Sequence, residues 1–338
     1  MSEIFCRLQS NGFRAEVLDA QGIDIGKRVV GPARDGISDH SRFGTLDAID
    51  LVGLLLDRQV PMEYTHPTLP RHRDGHSCFR DRVHGAGYQR QAHGDREVWL
   101  NPPPVPLETD ELDWVFELPY QRLPHPSYGD AAVPAMEMIQ HSVNIMRGCF
   151  GGCTFCSITM HQGRAIQSRS KGSILKEVEV LASQSDFKGH ISDLGGPTAN
   201  MYRMRCSKPE VESICRRLSC VHPTVCKLLE TDHAPTVELL REARAVKGVK
   251  KVNVASGIRM DLAAGEDEYL EEMAAHHVSG HLKVAPEHVS EHVLEKMKKP
   301  PVASFDVFAD RFSAASKRAG KEQYLVPYFI ASHPGSGV

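Results

Sequence analysis

Residues 147–156 read Arg147-Gly148-Cys149-Phe150-Gly151-Gly152-Cys153-Thr154-Phe155-Cys156. Three cysteines in the pattern Cys-x3-Cys-x2-Cys on one short loop can turn their thiolates toward one point. Gly148, Gly151 and Gly152 let the backbone fold tightly around a bulky inorganic centre. Thiolates suit zinc or iron–sulfur clusters. A closed zinc site takes four ligands, and this loop supplies three, with His161 as a recruit five residues past Cys156. Three ligands would instead leave one iron of a 4Fe–4S cluster open to a small molecule. Three buried thiols without a metal is the remaining reading of the loop by itself.

Outward from this loop the pattern is α/β. Residues 142–146 precede it as a short strand. Further strands are expected at 189–194, 250–255, 281–285 and 324–330. Helices fall between them, each marked by apolar residues at helical spacing. Ile174, Leu175, Val178 and Leu181 mark one, with Ser173 as its cap, and Val211, Ile214 and Leu218 a second. Val237, Leu240 and Ala243 mark a third, and Tyr269, Leu270 and Met273 a fourth. Ser290 caps a fifth, and Ser304 opens a sixth that carries Phe305, Phe308 and Phe312. Strand–helix alternation implies parallel strands with crossover helices.

The N-terminal part is less regular. Residues 49–56 suit a short helix or strand. Residues 61–94 are rich in Pro, Gly, His and Arg without periodicity, and read as loop. Pro102, Pro103, Pro104 and Pro106 make a stiff connector, and residues 118–134 read as a wrap onto the next domain. The organisation expected is an N-terminal region (1–92), a Pro-rich connector (93–140) and an α/β core (141–338).

The chain has 338 residues, room for about two domains at about 150 residues each. Lys plus Arg number 40 and Asp plus Glu 43, a net charge of −3 that gives no strong nucleic-acid signal. Apolar residues at 41% suffice for a core. No apolar run of about 18 residues suggests a membrane span, and no basic start followed by an apolar run suggests secretion. A cytoplasmic protein is expected. Seven of the nine cysteines lie between 149 and 226, which in a reducing compartment points to metal or redox chemistry. Cys6 and Cys78 fit no pattern.

Cys206, Cys215, Cys220 and Cys226 form a second set, with spacings of nine, five and six residues. Four thiolates could close a second metal site, either structural or an auxiliary cluster. Cys215 falls on the expected helix 211–218 and also suits a core position. His222 and His233 are substitute ligands.

The triplet, with an aromatic residue before its last Cys, resembles the radical S-adenosylmethionine (SAM) superfamily. The longer run SVNIMRGCFGGCTFCSI (142–158), followed by GRAIQSRS, resembles the YgiQ-like family of radical SAM proteins, whose function is unknown. The likeness continues through SDLGGPTANMY, KKVNVASGIRMDLA, HLKVAPEHV and GKEQYLVPYFIASHPGS. HGDREVWLNPPP and LPYQRLPHP belong to it too, as does the second cysteine set.

The resemblance implies a partial (βα) barrel of the radical SAM type. It implies a 4Fe–4S cluster on Cys149, Cys153 and Cys156, with SAM on the open iron. It implies reductive SAM cleavage to a 5′-deoxyadenosyl radical acting on an unknown substrate, with an electron donor such as flavodoxin or ferredoxin. Phe155 would pack near the adenine. Gly195-Gly196-Pro197 resembles the superfamily's Gly-Gly-Glu turn, which binds the SAM amino group, with Pro in place of Glu. Ser256, Arg259 and Glu287 follow the third and fourth strands, where barrels bind ligands. They are candidates for the SAM carboxylate or ribose. Arg164 and Arg169 could pair with an anionic group.

Such a barrel has six βα units, whereas this chain stops after its fifth expected strand, as a truncated member would. The competing expectation is a non-catalytic fragment that holds zinc or a cluster.

Overall fold

A computed structural model describes four strands within residues 1–100, and residues 106–337 except 213, 214 and 216. Residues 49–56, Cys6, Cys78 and the prolines at 102–104 lie outside the described residues. The chain divides into two units, residues 1–105 with 210–218, and residues 106–209 with 219–338.

In the first unit, β1 (Ala15–Asp19), β2 (Met62–Tyr64), β3 (Gln89–His93) and β4 (Arg96–Leu100) form an antiparallel sheet in the order β1-β4-β3-β2. Residues 61–94, read as loop, therefore carry β2 and part of the β3–β4 hairpin. Gln-Arg-Gln-Ala-His has no apolar alternation to announce a strand. Pairing with the apolar β4 strand makes it one.

The second unit opens with α1 (Thr109–Phe116) and α2 (Pro134–Ile139). Then follow β5 (Ser142–Asn144), β6 (Met146–Arg147), α3 (Ile158–His161), β7 (Gln167–Ser168) and α4 (Lys171–Ala182). β8 (His190–Ile191) and β9 (Asp193–Gly195) come next, then β10 (Arg205–Cys206) and β11 (Leu229–Glu230), while the single turn α5 (Pro209–Glu212) between them falls mostly in the first unit. The chain continues through α6 (Ala234–Ala245), β12 (Lys251–Val252), α7 (Met260–Ala263), α8 (Asp267–Glu272) and β13 (His281–Glu287). It closes with α9 (Glu291–Met297), α10 (Val302–Arg318) and β14 (Tyr324–Phe329).

The five expected strands are all present and parallel, most of them shorter than drawn from sequence, the fourth two residues longer. β5 pairs with β9, β8 with β12, and β13 with β14. An isolated parallel bridge, Ile258 to Val284, joins the third strand region to β13. Spatial order thus follows chain order around an open arc, a partial βα barrel. Its helix-facing side is apolar. Ile174, Val178 and Leu181 of α4, Leu239 and Leu240 of α6, and Phe308 and Phe312 of α10 belong to the same core as Val143, Ile191, Leu194, Val252 and Leu282 from the strands. Each fully buried side chain of this size stabilises by about 1.5–3 kcal/mol.

Three local expectations change. The α4 cap is Ser170, whose hydroxyl accepts the Ser173 N–H at 3.1 Å, while Ser173 itself is buried. Of the helix expected from Pro209 through Leu218, the described residues show α5, with Ile214 outside them and Cys215 and Leu218 outside any helix. Helix α10 starts at Val302 behind Pro301 rather than at Ser304, because proline is tolerated at a helix start.

Candidate metal centre

The cysteine loop leaves β6 at the carboxyl end of the first strand and is fixed at both ends. At Gly148 φ is +87°, and a Cβ there would overlap the Ala165 carbonyl oxygen, so only glycine fits. The Cys149 N–H donates to the Gly163 carbonyl at 3.0 Å, and the Thr159 hydroxyl donates to the Cys149 carbonyl at 3.1 Å. On the far side, Thr154 holds the end of α9: its N–H donates to the Met297 carbonyl at 3.1 Å, and its Oγ1 to the Lys296 carbonyl at 2.8 Å. The loop therefore joins the first and fourth βα units.

Two of the three thiols meet over Gly151. A Cβ placed on Gly151 would lie 3.3 Å from Cys149 Sγ, 3.7 Å from Cys153 Sγ and 2.9 Å from Arg259 Nη1. The first two sulfurs are thus within the sum of their distances, about 7 Å, of each other. Cys156 follows, with its N–H on the Cys153 carbonyl at 3.2 Å, and its sulfur lies within the electrostatic reach of Cys153, Cys149 and Glu287. Among the described residues no three Cys, His, Asp or Glu side chains are gathered to hold a single metal ion.

Burial pushes the Cys149 thiol above its ordinary pKa, and neighbouring Cys153 adds to this, against the Gly151 N–H, Thr198 and Arg259. Burial likewise raises Cys156, with the Ile158 N–H opposing. Half-buried, mutually repelling thiols ionise more readily when a metal takes up the charge. Two sulfurs meeting over Gly151, with the third on the same loop, suit iron–sulfur ligation by the chemistry of the donor set.

Arg259 is the cation of this pocket. It is buried, its Nε donates to Asp261 Oδ1 at 2.7 Å, and Nη2 reaches Asp261 Oδ2 at 3.2 Å. Nη1 is left to face Cys153 Sγ at 4.0 Å. Burial alone would lower its pKa, but Asp261 and the two cysteine sulfurs outweigh that and the net direction is up. Lys299 is displaced downward by burial, against Cys153, Glu287 and Asp261.

The other expected site residues stand at the same carboxyl ends. Gly195 closes β9 and is buried, and a Cβ on it would overlap Ser256 Oγ. Ser256 Oγ accepts the Gly196 N–H at 3.1 Å, and Asp193 Oδ1 accepts the N–H groups of Ala255 and Ser256 at 2.7 and 3.0 Å. The Gly195 carbonyl already accepts the Ile145 N–H at 2.8 Å. Glu287 ends β13 with φ of +72°, a conformation that costs a non-glycine residue on the order of 1–3 kcal/mol and recurs at functional sites. Burial raises its carboxyl pKa, against Lys299. Phe155 is 38% exposed on the loop.

Arg169 is elsewhere. It is fully buried against Glu177, the Asn144 carbonyl and Ser173, and stacks on Phe116, so it ties α1 and α4 to the core instead of binding a ligand. Arg164 is also buried. His161 is on the exposed side of α3.

In the second cysteine set, the Cys226 N–H donates to the Cys220 carbonyl at 2.7 Å, and the Leu229 N–H to the Cys226 carbonyl at 2.9 Å. Leu229 pairs with Cys206 across β10–β11. Cys215 belongs to the other unit. Sequence reasoning missed Thr198, Asp261, Lys299, Asn200 and Ser219. Only Asp261, two residues past Arg259, carried a local signal, an acid beside a base.

Two family profiles match the chain, Radical SAM N-terminal over residues 79–142 and Radical SAM superfamily over 143–335. The UPF0313 protein YgiQ of Salmonella typhimurium is 59% identical over 247 residues, 73% of this chain and 34% of that protein. A UPF0313 protein of Chromobacterium violaceum is 60% identical over 73% of this chain and 33% of its own length. UPF0313 protein blr7973 of Bradyrhizobium diazoefficiens is 58% identical, with 37% of its length covered. The chain thus spans about a third of the length of these relatives. The solved cobalamin-dependent S-adenosylmethionine radical enzyme OxsB overlaps 72% of this chain and 29% of its own, at a TM-score of 0.41 and 16% identity, too distant to bear on the site. With the superfamily profile covering more than half of the chain and the cysteine loop inside it, this chain belongs to the radical SAM superfamily.

Proposed function

We propose that this chain is the core of a radical SAM enzyme, in which Cys149, Cys153 and Cys156 hold a 4Fe–4S cluster and SAM takes the open iron. The observation that carries the reading is the close approach of Cys149 Sγ, Cys153 Sγ and Arg259 Nη1 over Gly151, where no side chain stands in the way. Held by these three cysteines, such a cluster would supply the one electron that cleaves SAM to methionine and a hydrogen-abstracting 5′-deoxyadenosyl radical.

The chain's own residues bind, orient and exclude water. Cys149 and Cys156 offer half-buried sulfurs, partly shielded from solvent. Arg259 places positive charge beside the sulfurs, which favours their ionised form. Phe155 presents a ring for the adenine. Gly195 and Gly196 turn the chain closely enough for backbone to meet the SAM amino group, with Ser256 holding that turn. Glu287 reaches the ribose or the amino acid part of SAM from the end of β13. The electron comes from a donor such as flavodoxin or ferredoxin.

Anaerobic reconstitution with iron and sulfide tests this reading. A brown protein that forms 5′-deoxyadenosine from SAM and dithionite, with both properties lost in Cys149→Ala, supports it. A colourless product whose metal content is unchanged by Cys149→Ala rejects it. A well-folded, metal-loaded sample without SAM cleavage would favour a non-catalytic metal-binding fragment.

A second metal on Cys206, Cys220 and Cys226 of the second unit is a further reading, favoured by the backbone bonds that draw Cys220, Cys226 and the Cys206 strand pair together. Metal analysis of Cys226→Ser, showing loss of one zinc or a second iron complement, would support it. An unchanged metal content would reject it.

A further inference from the structure

Behind Arg259 lies a buried pair that the cluster reading leaves without a role. Asn200 is wholly buried and clamps the Arg259 backbone with both ends of its amide. Oδ1 accepts the Arg259 N–H at 2.7 Å, and Nδ2 donates to the Arg259 carbonyl at 3.0 Å. The peptide donor and acceptor fix which end of the amide is which. Nδ2 therefore also faces His233 Nε2, at 3.1 Å. Because an amide NH2 can only donate, His233 must accept, so its ring is neutral with the proton on Nδ1.

The surroundings enforce that state. His233 is 1% exposed, with the Tyr269 ring centred 4.7 Å away. Burial pushes its pKa down to about 4, against smaller upward pulls from the Thr231 backbone and Asp232. The clamp acts where Arg259 opens α7, one residue before the helix begins. It thus fixes the Cα from which the guanidinium reaches Asp261 and the cysteine sulfurs. Thr198, two residues before Asn200, puts its hydroxyl 3.7 Å from Cys149 Sγ. One short segment therefore addresses both a sulfur and the cation beside it.

We propose that Asn200 and neutral His233 are positioning residues that hold the Arg259 guanidinium against the cysteine pocket, and thereby set how firmly the pocket retains iron. This rests on the cluster reading above. Partners that orient the groups around a metal typically change its retention by about 10–100-fold when removed.

The test follows iron loss from anaerobically reconstituted chain to a ferrous chelator, with the EPR spectrum of the dithionite-reduced sample as a second readout. Asn200→Asp and His233→Ala are each expected to release iron about tenfold faster than the unaltered chain and to shift the EPR signal. His233→Gln, whose carbonyl can still accept from Nδ2, is expected to restore both. The decisive comparison uses Arg259→Ala, in which adding Asn200→Asp should change nothing further, because the pair acts through that side chain.

Iron loss within twofold of the unaltered chain in both Asn200→Asp and His233→Ala overturns the proposal. So does an Asn200→Asp effect that persists undiminished on Arg259→Ala, since that marks general loosening. Should Asn200→Asp not fold, His233→Ala carries the same cycle. An unaltered chain that takes up no iron would instead reject the cluster reading itself.

Discussion

The Ser219 hydroxyl donates to the Gly151 carbonyl over 2.7 Å, tying the segment that carries Cys220 and Cys226 to the floor of the cysteine pocket. The same oxygen accepts the N–H groups of Val221 and His222 at 3.2 and 3.0 Å, and the Cys220 N–H donates to the Phe150 carbonyl at 3.0 Å. The two cysteine-bearing segments are therefore one hydrogen-bonded structure.

Ser219→Ala would leave a buried carbonyl and two N–H groups short of partners. The expected cost is about 1–3 kcal/mol, read as a lower urea midpoint of the metal-free chain. An unchanged midpoint would show that water or a local shift replaces the hydroxyl.

Gly151→Ala and Gly257→Ala make a matched pair. A Cβ on Gly151 enters the pocket between two sulfurs and Arg259, while one on Gly257 meets nothing within 4 Å. Iron uptake is expected to fall severalfold in the first and to stay unchanged in the second, with both chains folded. Equal uptake would mean that the pocket is not where iron binds.

Acid should destabilise the metal-free chain through its buried histidines. The folded pKa of His233 is about 4, below the ordinary value of 6.5. The unfolded chain therefore binds the extra proton first, and stability is present above about pH 6.5 and lost as pH falls toward 4. The size is on the order of 3 kcal/mol at one pH unit per 1.4 kcal/mol. His277, displaced downward mainly by burial, acts in the same direction. Urea midpoints at pH 7 and pH 5 should differ, and the difference should shrink in His233→Gln. A pH-independent midpoint would contradict both shifts.

Strand β14 pairs with β13 on one side and exposes Tyr324, Val326, Tyr328 and Phe329. Exposed apolar edges template pairing with other chains. Concentration-dependent self-association is expected by light scattering, and Val326→Lys should reduce it. A monodisperse wild-type chain at high concentration would refute this.

The sequence by itself determined the local chemistry: the three-thiol loop with its glycines, and the strand–helix alternation that becomes a parallel arc. These are legible because cysteine spacing and apolar period act over a few residues. It also marked Ser256, Arg259 and Glu287 as strand-end residues. Only the tertiary structure decided what each one faces. Arg259 turns to the sulfurs because Asn200, 59 residues earlier in the chain, holds its backbone. Ser219 closes the pocket floor from 68 residues away. Arg169, basic and close to the triplet, is buried against Glu177 instead. No periodicity encodes such pairings, because they arise when separate βα units bring their strand ends together and a buried polar group must find its partner there.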